Sequence, residues 1–137
     1  MRREAELWFK SAEEDLEDAR AFMSSKRYFR TAFFAQQSVE KVLKALFIEL
    51  AREEPPKIHS ITELYRSLGD KTKFRIPRDL EEQIFILNKY YTISRYPDAA
   101  NGLPSESVDR IEAERTLKIA EEVFNYARAF IGDKKES

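Results

Sequence analysis

Apolar residues return at every third or fourth position through most of this chain, and that period limits its fold more than any other feature does. From Glu4 to Ser24 the positions Ala5, Trp8, Ala12, Leu16, Ala19 and Met23 make one helical stripe. From Tyr28 to Arg52 a second stripe runs through Tyr28, Ala32, Ala35, Val39, Leu43, Leu46 and Leu50, close to a heptad seam. No segment keeps the in–out alternation of a half-buried strand. Only 3 Gly and 5 Pro occur in 137 residues, so little interrupts the helices, and an all-α chain is the expectation.

The breaks that do occur set the boundaries. Ser24–Arg27 separates the first two helices. Pro55-Pro56 stops the second, because neither residue carries a backbone N–H. Ser60 and Glu63 have the spacing of a capping box and start a short third helix, for which Gly69 offers a left-handed stop. Residues 70–77 read as a polar linker carrying Lys71, Lys73 and Arg75. A fourth helix begins near Arg78 with Leu80, Ile84, Leu87 and Tyr91 on one face, and a loop with Asn101-Gly102 and Pro104 follows it. The last helix spans about Glu106–Ile131 on a seam of Leu117, Ala120, Phe124, Ala127 and Ile131, with Gly132 as its stop and a frayed tail beyond. The prediction is an up-and-down four-helix bundle with a short extra helix, one domain over residues 1–137.

Several function classes drop out. Without Cys there are no disulfides, thiolate metal sites or cysteine nucleophiles. The 24 basic residues against 25 acidic ones argue against a general nucleic-acid or membrane coat. No apolar run approaches the ~20 residues of a membrane span. Acidic residues stand where a signal peptide needs its apolar core, so a cytoplasmic location is expected. Glycine-rich phosphate loops, nucleophile elbows and ligand-spaced His, Asp and Glu clusters are absent from the sequence, so no resident cofactor or metal is expected.

Four places carry candidate chemistry. Gln37, Glu40 and Lys44 line up beside the apolar seam of the second helix, with Gln36 nearer the core; they either face a cleft or form a solvated face with a weak Glu40–Lys44 pair. His59, the single histidine, is either a general base or nucleotide contact, or a structural ring bonded to a backbone carbonyl. The segment Tyr90-Tyr91 to Arg95-Tyr96-Pro97-Asp98 offers a guanidinium fork for phosphate beside stacking rings, or else a corner of the fold held by Arg95 and Asp98. The basic run from Lys71 to Arg78 is a solvated loop or a phosphate attractor. Asp15 falls inside the first stripe and must find a partner or stay at the edge of the core.

The succession of Trp8, Ala12, Asp15-Leu16 and Ala19, the block from Tyr28 to Leu46, His59-Ser60-Ile61 with Leu64, and Tyr91-Thr92 with Arg95-Tyr96-Pro97-Asp98 resembles the HEPN domain family (higher eukaryotes and prokaryotes nucleotide-binding) over nearly the whole chain. That resemblance implies a helical bundle, commonly a homodimer. It also implies a non-catalytic nucleotide- or substrate-binding subunit acting with a separate small nucleotidyltransferase, in a pair of toxin–antitoxin character. A nucleotide, with or without magnesium, is the expected ligand. Asp15, Gln37, Glu40, Lys44, His59, Tyr91, Arg95 and Tyr96 are the expected site. In it Lys44 and Arg95 neutralise phosphate, Tyr91 or Tyr96 stacks on a base or ribose, and Asp15 orients a cation. Other family members resemble metal-independent ribonucleases with a His shortly after an Arg. This chain has no His after Arg95, and Arg52 and His59 are separated by Pro55-Pro56. RNA cleavage is therefore the alternative, and a purely protein-binding bundle is a third reading, in which Phe33, Phe34, Phe47 and Ile48 supply apolar surface for a dimer.

Overall fold

A computed structural model describes residues 1–96 and 102–136, the last four by their backbone alone. Among the described residues six α-helices, α1 (Arg3–Ser24), α2 (Tyr28–Leu46), α3 (Ile61–Lys71), α4 (Arg78–Ile84), α5 (Asn88–Arg95) and α6 (Arg110–Glu136), account for most of the chain. A 3₁₀ turn over Phe85–Leu87 joins α4 to α5 as one bent helix. The four long units are therefore α1, α2, α4–α5 and α6, and α3 is the short extra helix. Among the described residues there is no strand. No helix of theirs is long and apolar enough to cross a membrane.

α2 occupies the centre. α1 and α6 pack along it, while α3 and α5 cover the remaining side. This explains why apolar residues spread around the wheel: Val42 and Ala45, with Phe47 and Ile48 just beyond the helix, are buried as well as Ala32, Ala35, Val39, Leu43 and Leu46 of the predicted seam, whose ends Tyr28 and Leu50 are half-buried. Phe47 and Ile48 thus belong to the core of the single chain. Phe33 and Phe34 stay half-buried in an aromatic cluster with Phe22 and Phe29.

The turn between α1 and α2 is a Schellman closure. Arg27 N–H donates to Phe22 O at 2.8 Å and Lys26 N–H to Met23 O at 3.1 Å. Lys26 takes the left-handed conformation, φ 63°, that glycine usually supplies there. In α1 the core position is Phe9, which meets Phe124 edge-on at 6.2 Å, whereas Trp8 is only half-buried at the flank of the stripe.

Other boundaries depart from the sequence reading. α2 passes into a π-helical turn, Phe47–Ala51, and ends on Arg52 at φ 57° before the two prolines. Ser60 caps α3 as expected, its Oγ accepting from Glu63 N–H at 3.2 Å. Gly69 does not stop that helix, which runs on to Lys71. The glycine instead makes room for Arg75, whose Nη1 would lie 3.1 Å from a Cβ there and whose Nη2 donates to Gly69 O at 2.9 Å. The segment read as a polar linker buries Phe74 and Ile76, and Phe74 packs on Phe130 at 5.2 Å. Gly132 is likewise passed in helical conformation, and α6 starts at Arg110 after a 3₁₀ turn at Pro104–Glu106.

The 3₁₀ turn between α4 and α5 also changes which tyrosine enters the core. At about 120° per residue it advances the helical phase faster than an α-helix does, so Tyr90 follows Leu80, Ile84 and Leu87 inward. Tyr91 is left half-exposed on the neighbouring face. The Tyr90 hydroxyl donates to Glu112, and burial beside that carboxylate raises its pKa far above the ordinary phenol value.

Candidate functional site

The polar positions of α2 do not form a solvated helix face. Glu40 is 3% exposed and its carboxylate collects three donors. Oε1 accepts from Lys44 Nζ at 3.0 Å and lies 2.7 Å from His59 Nδ1, and Oε2 accepts from Gln36 Nε2 at 3.2 Å. Gln37 Nε2 donates to Gln36 Oε1 at 2.7 Å and extends the chain of bonds outward. A buried carboxylate held by an ammonium, an amide and an imidazole meets most of its need for donors inside the protein.

His59 reaches Glu40 because the chain doubles back. The π turn, left-handed Arg52 and Pro55-Pro56 return the connector across the end of α2, and the cap at Ser60 fixes where α3 begins. The ring is bonded to a carboxylate rather than to the backbone carbonyl of the structural reading. Beside an ionised Glu40 the donating nitrogen is Nδ1, which leaves Nε2 as the acceptor of the neutral ring. The imidazole is half-exposed and stacks on Tyr91 with centroids 4.3 Å apart and planes at 16°. Arg95 places its guanidinium carbon 5.4 Å from the centre of the same tyrosine ring.

Two clefts meet at His59. One, of about 350 Å³, opens between Trp8 and Lys44 on the helices and Glu54–Lys57 on the connector. The other, of about 450 Å³, lies between the start of α3 and the face of α5 that carries Asn88, Tyr91 and Thr92. In the first, Lys44 Nζ sits 5.6 Å from the centre of the Trp8 ring.

Of the eight residues expected from sequence, Gln37, Glu40, Lys44, His59, Tyr91 and Arg95 form one connected group. Asp15 stands apart between α1 and α2. Its Oδ2 pairs with Lys41 Nζ at 2.8 Å. Burial raises the Asp15 pKa, against the lowering effect of Lys41. The side chain of Tyr96 is 63% exposed beyond the end of α5, and among the described residues no contact joins it to the group. Pro97, Asp98 and Asn101 lie outside the described residues. Within the basic run Lys71 pairs with Glu53 at 2.6 Å, Arg78 with Glu82, and Arg75 donates to carbonyls around the end of α3.

Gln36 and the Trp8–Pro56 wall were not in the expected site. Gln36 was legible only as a polar residue too near the core, and Trp8 was hidden because it sits on the apolar stripe. Among the described residues no group of three or more His, Cys, Asp and Glu side chains is arranged to hold a metal.

The profile of one protein family, described as the HEPN domain, matches residues 5–130. The chain is 30% identical over 139 aligned positions to "Putative toxin MJ1304" of Methanocaldococcus jannaschii, covering 95% of this chain and 90% of that protein. Two solved structures have similar folds at 32% identity. TT1696 of Thermus thermophilus superposes with a TM-score of 0.82 over 93% of this chain and 98% of its own. ST0689, described as an archaeal HEPN homologue, superposes with a TM-score of 0.75 over 96% and 99%.

Proposed function

This chain belongs to the HEPN domain family, and on that footing we propose that it is the nucleotide-binding member of a toxin–antitoxin-like pair, acting with a separate small nucleotidyltransferase. The observation that carries the reading is the Glu40 clamp. A helical bundle gains little stability from burying a carboxylate and an ammonium that could be replaced by apolar packing. Here those charges sit where two clefts meet, and they hold a half-exposed imidazole in a fixed orientation. Arg95 and Tyr91 beside it supply a permanent cation and an aromatic edge, the two features that phosphate and base require. The M. jannaschii relative, named as a toxin, supports the toxin–antitoxin setting.

The test is calorimetric titration of the purified chain with ATP, GTP and a short RNA, with and without magnesium. Saturable binding is expected, and Arg95→Ala should weaken it roughly ten-fold, a loss of about 1.4 kcal/mol, while the circular dichroism spectrum is retained. Absence of saturable binding at millimolar nucleotide defeats the reading. Co-expression with a nucleotidyltransferase encoded beside this chain should give a complex that survives gel filtration; separate elution would remove that partner.

A second reading is favoured by the same Glu40–His59 pair. With Nδ1 pinned, Nε2 is positioned to take the proton of an RNA 2′-hydroxyl. The 2′-oxygen would then bond to the adjacent phosphorus, closing a 2′,3′-cyclic phosphate, while the 5′-oxygen leaves and takes up a proton. Arg95 would offset the charge gathered on the phosphate. RNA incubated with the chain should then be cut, and His59→Ala should abolish the cutting. If wild type leaves RNA intact, this second reading fails and the binding role stands.

A further inference from the structure

Irregular backbone leads into the smaller of the two clefts. The π-helical turn at Phe47–Ala51 and the left-handed Arg52 precede Glu54, the paired prolines and Lys57, which form one wall. π turns and non-glycine residues at positive φ cost stability and recur at functional sites. The opposite wall is Trp8, the single tryptophan of the chain, set on the flank of α1 instead of in the core. Lys44, only 9% exposed, reaches the floor with its ammonium 5.6 Å from the indole centre. Lys57 and His59 stand at the rim.

We propose that this cleft is the base-binding pocket of the site, taking the nucleobase of a nucleoside monophosphate against Trp8 and Pro55-Pro56, with its phosphate toward Lys57 and His59. The inference rests on the nucleotide-binding reading and narrows it to one pocket and one ligand size. A volume of about 350 Å³ falls near the lower end of small-molecule pockets, roughly 300–1,000 Å³. It suits one nucleoside. Trp8, Pro55 and Pro56 offer apolar rings against which a planar heterocycle can lie, with Glu4 and Glu54 also in the lining. The Lys57 ammonium at the rim can receive the phosphate, with the Arg95 guanidinium against Tyr91 beside His59 as the further cation, since Lys44 is committed to Glu40.

Because Trp8 is the only tryptophan, its emission reports this pocket alone. Titration of the intact chain with AMP should quench that emission saturably, and ribose 5-phosphate should bind at least ten-fold more weakly. Calorimetry should find AMP affinity reduced roughly ten-fold or more in Trp8→Ala, the scale of losing one base–aromatic stack, and largely restored in Trp8→Phe. The pocket assignment is overturned if AMP binds by calorimetry without altering Trp8 emission. It is also overturned if ribose 5-phosphate binds as tightly as AMP, or if Tyr91→Leu abolishes binding that Trp8→Ala leaves intact. In those cases nucleotide binding itself survives. If neither AMP nor any other nucleotide binds, the broader reading falls with it.

Discussion

Replacing Glu40 by leucine should be among the most damaging single changes in this chain, and the structure sets the scale. The substitution leaves the Lys44 ammonium, 11% exposed at its side chain, without its counter-charge. It also leaves Gln36 Nε2 without its acceptor in a residue that is 0% exposed. Breaking a buried ion pair from one side costs about 3–5 kcal/mol, and an orphaned buried amide adds to it within that range. Urea unfolding should therefore show Glu40→Leu losing about 3–5 kcal/mol, or roughly 10–20 °C in Tm for a domain of this size, with an unchanged m-value. Adding Lys44→Met removes the stranded charge and should recover at least about 2 kcal/mol, leaving the double variant short of wild type mainly by the unsatisfied Gln36. A loss under about 1 kcal/mol in the single variant would refute the reasoning, because it would mean that Lys44 swings into the cleft and is solvated there. A double variant no better than Glu40→Leu would refute it equally.

His59 should occupy the Nδ1–H tautomer when neutral, and since it is the only histidine, long-range proton–nitrogen NMR can read it without assignment; an Nε2–H form would mean that the ring does not donate to Glu40. Asp15→Asn should be at least as stable as wild type at pH 7. The folded pKa of Asp15 is raised, so the native state holds its proton more tightly than the unfolded chain does. Wild-type stability therefore falls as pH rises from the ordinary 3.8 through the folded value, and the two proteins should converge below pH 3.8 in urea titrations. Lys26→Gly should stabilise by up to about 1 kcal/mol, because it relieves a left-handed residue at some cost in unfolded-chain entropy; a loss in urea unfolding would show that the Lys26 side chain contributes more than its backbone costs. Tyr65 donates to Glu81 Oε2 and accepts from Ile76 N–H, so Tyr65→Phe should cost about 1–3 kcal/mol by leaving that amide unsatisfied. Burial, with Glu81 beside it, pushes the Tyr65 hydroxyl up to about 12, so its phenolate absorbance should emerge only at strongly alkaline pH.

What depends on short-range order could be read from the residues alone: that the chain is helical, where most of its helices begin, and which residues of α2 share a face. Periodicity and one serine cap act within a turn or two of chain, and Ser60 does in the structure what its chemistry requires, whereas the second helix already ends on Arg52, ahead of Pro55-Pro56. For the same reason Gln37, Glu40 and Lys44 could be aligned from their numbers alone. Whether that line was a solvated face or a buried clamp depended on packing, because it turns on which helices surround α2. Packing also set where His59 points, since its partner lies 19 residues earlier and is reached only after a π turn and a left-handed residue reverse the chain. The glycines show the limit of local reading. Gly69 carries the signature of a helix stop, yet the energetic demand at that place is room for the Arg75 guanidinium. A 3₁₀ turn of three residues moved the core position from Tyr91 to Tyr90 and left Tyr91 free to meet His59. Such phase shifts arise from the packing of the whole bundle, and no window of sequence contains them.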